Sequence, residues 1–225
     1  MAHYSVGLEL AGIGIEIRVQ QPEIAKSLHA RYLDFPLSRQ ADTIFDCASD
    51  DYQSPARVEY RLREITAHLV FDRGGVLIHG AGIVDRGHAH VFCGPSGSGK
   101  TTLARSSPGK TVLNDDLVIL LVEQGRWAVH STPFSNLDQI RPTPGHAPLS
   151  GLYSLAKDHR VYLRPLNETE ALARLIGCVP VITRDRLKAQ QALDRLAELV
   201  HSTVILELHF PKGGDIWEVI PDAAA

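Results

Sequence analysis

Gly94-Pro95-Ser96-Gly97-Ser98-Gly99-Lys100-Thr101 fits the pattern G-x-x-x-x-G-K-[ST] at every defined position, and its neighbours are those the pattern requires. An apolar strand signal, Val91-Phe92-Cys93, leads in, and the helix formers Thr102-Leu103-Ala104-Arg105 lead out. Gly94, Gly97 and Gly99 let successive backbone N–H groups turn inward and approach phosphate oxygens with no Cβ in the way. The helix start adds unpaired donors and the positive end of its dipole. Lys100 supplies a mobile cation for the β- and γ-phosphates, and the Thr101 hydroxyl can ligate Mg²⁺. Residues Gly94 through Thr102 (Pro95, Ser96 and Ser98 included) are thus the expected site for ATP with Mg²⁺.

Fifteen positions after Lys100 stand Asp115-Asp116, directly behind the strand signal Thr111-Val112-Leu113-Asn114. So short a helix and turn put the acid pair on the strand next in sequence after the loop. Adjacent residues at a strand end point to opposite faces. One carboxylate can then face Mg²⁺ while its neighbour faces the attacking group. Asp115 has two readings: general base for an incoming Ser or Thr hydroxyl, or a second ligand shell for Mg²⁺. The first is preferred.

Ile78-His79-Gly80, Gly94 fifteen positions after His79, and Asn114-Asp115-Asp116 together resemble the catalytic core of the HPr kinase/phosphorylase family. That family carries a V-H-G step, a short strand pair, a phosphate loop and an A-D-D element. The resemblance is specific over about forty residues, Val76 to Leu117. It implies an α/β phosphate-loop core of the HPr kinase/phosphoenolpyruvate carboxykinase type, with a mixed sheet. It also implies His79 and Asp115 at the reacting hydroxyl, with Asp116 and Thr101 serving Mg²⁺. A vaguer likeness over 127–134 and 148–176 is to short HPr-kinase-related proteins of modified-peptide biosynthesis systems. The family's E-aliphatic-R-G-x-G segment is absent, and residues 1–73 do not look like the N-terminal domain of long HPr kinases. The resemblance therefore does not extend to HPr as acceptor or to reverse phosphorolysis. HPr kinases are hexamers, so it implies a homo-oligomer.

Upstream, Tyr4 to Leu10 and Ile13 to Val19 alternate with period two about Ala11-Gly12, the pattern of a hairpin. Thr43 to Cys47 reads as a strand and Ser49 to Ser54 as a polar loop. Val58, Leu62, Ile65 and Leu69 fall at helical spacing, and Gly74-Gly75 ends that helix. Residues 1–73 form an N-terminal lobe in this reading, and 74–225 the kinase core. In the core, strands are expected at 76–79, 89–93, 111–114, 117–122, 127–130, 204–210 and 216–220. Four prolines (Pro133, Pro142, Pro144, Pro148) mark Ser131 to Ser150 as a long loop. Asn167-x-x-Glu170 opens one helix as a capping box, closed by Gly177. A second helix runs from about Asp185 to Val200, with Leu187, Leu193, Leu196 and Val200 facing inward. Arg141, Arg160 and Arg164 are candidates to neutralise phosphate, with nothing to choose among them. His88 and His90 share a strand face but lack a third ligand.

The 225 residues are 44% hydrophobic and 22% charged, with a formal charge of −3. This balance gives no electrostatic pull toward nucleic acid or anionic membrane. The start lacks the basic and apolar blocks of a signal peptide, and the longest aliphatic run, Leu117 to Val122, is far short of the ~20 residues of a membrane span. Cys47, Cys93 and Cys178 are odd in number and without C-x-x-C spacing, as in a reducing compartment. The expectation is a cytoplasmic Mg·ATP-dependent kinase with Asp115, His79 and Lys100 as catalytic residues and Thr101 and Asp116 for the metal. Its partner would be a peptide or small protein with a Ser hydroxyl. The alternatives are a small-molecule kinase, an ATP-hydrolysing switch and a non-catalytic nucleotide-binding module.

Overall fold

The computed structural model describes residues 3–47, 52, 54–135 and 140–221. Of the expected loop 49–54 only Tyr52 and Ser54 fall within them, and the terminal alanines lie outside. The expected hairpin forms: β1 (Tyr4–Leu10) pairs antiparallel with β2 (Ile13–Val19), Leu10 facing Ile13. Ala11 and Gly12 both have positive φ, 48° and 71°, as a two-residue hairpin turn demands. Between β2 and β3 (Thr43–Cys47), which pair in parallel, runs α1 (Pro22–Arg31). A parallel pair needs such a crossover. This helix had no counterpart in the sequence reading, although Pro22 in its first turn and Ile24 and Leu28 buried four apart are its signals. Ser54 caps α2 (Pro55–Asp72), accepting from the Arg57 N–H. Val58, Leu62 and Val70 of α2 are buried. Apolar side chains of this lobe are continuous with those of the sheet that follows.

That sheet comprises β4 (Val76–Asp85), β5 (His88–Cys93), β6 (Thr111–Asn114), β7 (Leu117–Glu123), β8 (Arg126–His130), β9 (His146–Lys157), β10 (Tyr162–Pro165) and β11 (Ile205–Phe210). Their order is β10-β11-β9-β5-β4-β7-β8, with β6 also on β4. It is mixed: β9 runs parallel to β5 and β11, and the remaining pairs are antiparallel. Because β9 pairs with β8 as well, strands β9, β5, β4, β7 and β8 close into a ring. Helices α3 (Lys100–Arg105), α4 (Glu168–Ile176), α5 (Pro180–Arg184) and α6 (Ala189–Ser202) complete the chain. The capping box forms in both directions, Asn167 accepting from the Glu170 N–H and Glu170 from the Asn167 N–H. The protein is thus of the α/β class, a phosphate-loop core on a mixed sheet with a small β-rich N-terminal lobe. Among the described residues no helix is long and apolar enough to cross a membrane.

Three expectations are corrected. The loop expected over 131–150 gives way at His146 to β9. Pro148 stands at the last pair with β8, opposite Ala128, just before the β5 pairing begins at Leu149, an end position of the kind where proline is found in sheets. Leu152 to Leu155 are all buried, so the strand lacks the alternation that announces one. The segment 216–220 is not a strand but a single turn, with the Val219 and Ile220 N–H groups donating to the Ile216 carbonyl. A short apolar run cannot separate the two by periodicity. Finally, α6 begins at Ala189, and Leu187 is 92% exposed rather than inward-facing.

Candidate functional site

Strand register assembles the site. Cys93, the last residue of β5, pairs with Gly80 of β4. One step back on β4, His79 pairs with Leu117, the first residue of β7. With strands ~4.8 Å apart, the start of the phosphate loop, His79 and the residue before Leu117 must converge at one end of the sheet. Gly80 makes this possible, since a Cβ there would meet Cys93 Sγ at 3.1 Å and the Phe92 carbonyl at 3.2 Å.

The loop takes the shape its glycines permit. Gly97 and Gly99 have φ of 77° and 108°, and a Cβ on Gly94 would lie 2.7 Å from Ser98 Oγ. Lys100 begins α3 and is buried, its ammonium donating to the carbonyls of Gly94 (2.8 Å) and Pro95 (3.2 Å). Burial pushes its pKa down; Cys93, Cys178, Asp116 and Asp115 pull the other way. Thr101 is half-buried and Thr102 exposed on the same first turn. Ser98 Oγ is buried with no hydrogen-bond partner among the described residues.

Asp115-Asp116 occupies a two-residue break between β6 and β7, both of which run along β4. Asn114 holds the break. Its Nδ2 donates to Thr132 O (2.8 Å), Thr132 Oγ1 (3.2 Å) and Phe134 O (3.0 Å), and its Oδ1 accepts from the N–H groups of Asp116 (2.6 Å) and Leu117 (3.0 Å). The side chain is fully buried. Asn114→Leu keeps the branching at Cγ and strands several buried polar groups at about 1–3 kcal/mol each. We expect the thermal midpoint to fall by roughly 10 °C or more, read by calorimetry; a shift under about 2 °C would contradict the role given to Asn114.

The two acids have different surroundings. Asp116 accepts from His79 Nδ1 at 3.0 Å and faces Arg63 Nη1 at 3.4 Å, while its carbonyl accepts from the Gly80 N–H (2.9 Å). Asp115 is 1% exposed, and neither of its carboxylate oxygens has a hydrogen-bond partner among the described residues. His79 therefore contacts Asp116, because β4–β7 pairing sets it beside Leu117 and the residue just before it.

Three contributors were not singled out from sequence. Arg63 of α2 lies between Asp116 and Glu59, 2.6 Å from Glu59 Oε1. Glu59 is buried and also accepts from Arg31 of α1 (2.9 Å), and Arg31 in turn donates to the Ser135 carbonyl. The (i, i+4) pair Glu59/Arg63 was the available signal, although such pairs are common on exposed helix faces. Cys178, just after α4, accepts the His79 N–H on its carbonyl (2.7 Å). Its thiol is held down to about 7 by the Cys93 thiol, with His79 and Lys100 helping, against the opposing effect of burial. Cys93, the donor, is pushed up.

The other sequence candidates lie in separate networks. Arg141 pairs with Asp34 (2.5 Å), Arg164 with Glu207 (2.9 Å) and Glu170 (3.2 Å), and Arg160 is exposed before β10. His90 packs against Tyr153 and Trp217, and burial takes its pKa down to about 4. No group of three or more His, Cys, Asp or Glu among the described residues could hold a metal ion by itself. A Mg²⁺ ion that arrives with a triphosphate asks less, one or two protein oxygens plus phosphate.

No protein-family model matches the chain. A stretch of 99 residues, 42% of this chain, is 28% identical to the small ribosomal subunit biogenesis GTPase RsgA of Clostridium novyi (strain NT). The matched stretch spans 33% of that protein's length. Among solved structures, the Hpr(Ser) kinase/phosphatase from Coxiella burnetii aligns over 60% of this chain and 85% of its own, at 10% identity and a TM-score of 0.34. That overlap is too small to carry an argument. The motif and its geometry make this a phosphate-loop nucleotide-binding fold.

Proposed function

We propose that this chain is a cytoplasmic kinase that moves the γ-phosphoryl group of Mg·ATP to a hydroxyl, that of a Ser on a peptide or small protein. The observation that carries the reading is Asp115: a buried carboxylate with neither oxygen hydrogen-bonded among the described residues, one residue from Asp116 and within the electrostatic reach of Lys100. Buried polar groups are nearly always paired. An unpaired one beside a phosphate loop suits a base awaiting the proton of its substrate.

In this reading the backbone donors from Gly94 to Thr102 and the Lys100 ammonium bind the triphosphate. Lys100 exchanges the neutral carbonyls of Gly94 and Pro95 for charged phosphate oxygens, which make the stronger hydrogen bonds. Thr101 and Asp116 are the residues that would hold Mg²⁺, an ion that neutralises charge on the β- and γ-oxygens. His79 donates Nδ1–H to Asp116 and fixes that carboxylate's orientation. Arg63, carried by Glu59, does the same from the other side. Asp115 takes the acceptor's proton as the acceptor oxygen bonds to γ-phosphorus. The bond from γ-phosphorus to the bridging oxygen breaks in line, and ADP leaves with that electron pair. The short HPr-kinase-related proteins that the sequence resembles support a peptide acceptor, and the family's assembly supports a homo-oligomer.

The stretch similar to a GTPase favours a second reading, a nucleotide-hydrolysing switch in which Asp115 polarises water. γ-Labelled ATP and GTP, each with and without Ser peptides, separate the two. The kinase reading expects label on a peptide and ADP release that depends on it. Acceptor-independent phosphate release, faster with GTP, would replace it with the switch.

A further inference from the structure

Beside the Asp116–His79 pair lies a cavity of about 660 Å³, walled by α2, α5 and the facing ends of β4 and β7. Its lining includes a small apolar area from Leu77, Leu117 and Val181, with His79 and Asp116 at one place on it. Its charges are mostly answered: Arg63 is taken by Glu59 and Asp116, Arg61 pairs with Glu64 (2.5 Å), and His68 faces Asp185 (3.7 Å). Arg184, the last residue of α5, lines the cavity, is exposed, and pairs with no carboxylate among the described residues. Tyr60 of α2, another lining residue, is 68% exposed.

We infer that this cavity is the acceptor site, and that it takes a polypeptide segment whose Ser lies near an acidic side chain. The inference rests on the kinase reading for its chemistry but not for its binding. A Ser hydroxyl reaches Asp116, the residue next to Asp115, apolar side-chain atoms cover Leu77, Leu117 and Val181, and a carboxylate meets Arg184 as a charge-assisted fork. Tyr60 offers its ring as a low-entropy contact beside the entering chain. The N-terminal lobe is then a working part of the enzyme, because α2 supplies this wall as well as Arg63.

The test uses the full chain and Ser peptides with blocked termini, carrying Glu, Gln or Lys at each position from three before to three after the Ser. Fluorescent copies with Ala in place of Ser measure binding alone by anisotropy. Wild type should bind the best-placed Glu peptide about tenfold more tightly than its Lys counterpart and transfer label to it with the same preference. Arg184→Glu, with an unchanged thermal midpoint, should reverse the order in both assays. Charge-dependent binding without transfer would sustain the cavity and overturn the kinase reading. Transfer without charge preference, a preference that Arg184→Glu leaves intact, or no peptide binding at all would overturn the cavity. A destabilised Arg184→Glu is replaced by Arg184→Gln, which should abolish the preference without reversing it.

Discussion

Asp115→Asn is expected to lower phosphoryl transfer by about 10²–10⁴ while leaving the affinity for Mg·ATP nearly unchanged. The substitution keeps the shape of a side chain that is 1% exposed and removes its negative charge and its capacity to take a proton. Stability should move the other way. A carboxylate buried with neither oxygen paired among the described residues is costly to hold, and a neutral amide of the same size is cheaper to bury. The thermal midpoint should therefore stay level or rise as activity falls, the signature of a residue kept for chemistry. Single-turnover transfer of γ-label, a nucleotide titration and calorimetry on one preparation check all three. Normal turnover in this variant would remove Asp115 from the mechanism.

Lys100→Ala should cost both binding and transfer. Its ammonium makes two hydrogen bonds to the loop's own carbonyls, at 2.8 and 3.2 Å, and these are the donors offered to the phosphates. Loss of one charge-assisted bond at about 1.5–3 kcal/mol corresponds to roughly tenfold to a hundredfold in kcat/KM. Unlike Asp115→Asn, this variant should also weaken Mg·ATP binding, because the cation acts on the ground state as well. Lys100→Arg should not restore activity: a planar fork cannot take the place of a compact ammonium among buried neighbours. Unimpaired kcat/KM in Lys100→Ala would show that the loop does not grip a triphosphate.

The parts of this site that sequence reveals are those built from local rules. The loop from Gly94 to Thr101 has a pattern dictated by backbone conformation, and it was legible with its strand and helix in place. The Asn114-Asp115-Asp116 step was legible as an acid pair after a strand. Its break between β6 and β7 was legible as the gap between two strand signals, but what holds it was not, because three of the five hydrogen bonds of Asn114 reach to Thr132 and Phe134, which only the fold brings near. His79 was placed at its strand end, but its contact with Asp116 was not legible, since cross-strand register decides which carboxylate it meets. Arg63 and Glu59 fall on an amphipathic helix where polar residues are ordinary, and Cys178 carried no signal beyond the odd cysteine count. Among the strands, β1 and β2 showed their alternation because one face is exposed. The central β9 showed none because both its faces are covered, and Pro148 argued against it.

The most direct test is a crystal structure of the full chain with Mg²⁺ and a non-hydrolysable ATP analogue. The account predicts the triphosphate along Gly94 to Thr102, with the Lys100 ammonium moved from the Gly94 and Pro95 carbonyls onto phosphate oxygens. It predicts Mg²⁺ on Thr101 and Asp116, and the Asp115 carboxylate facing the γ-phosphate. A nucleotide bound away from that loop, or an Asp115 still buried out of reach of the γ-phosphate, would contradict it.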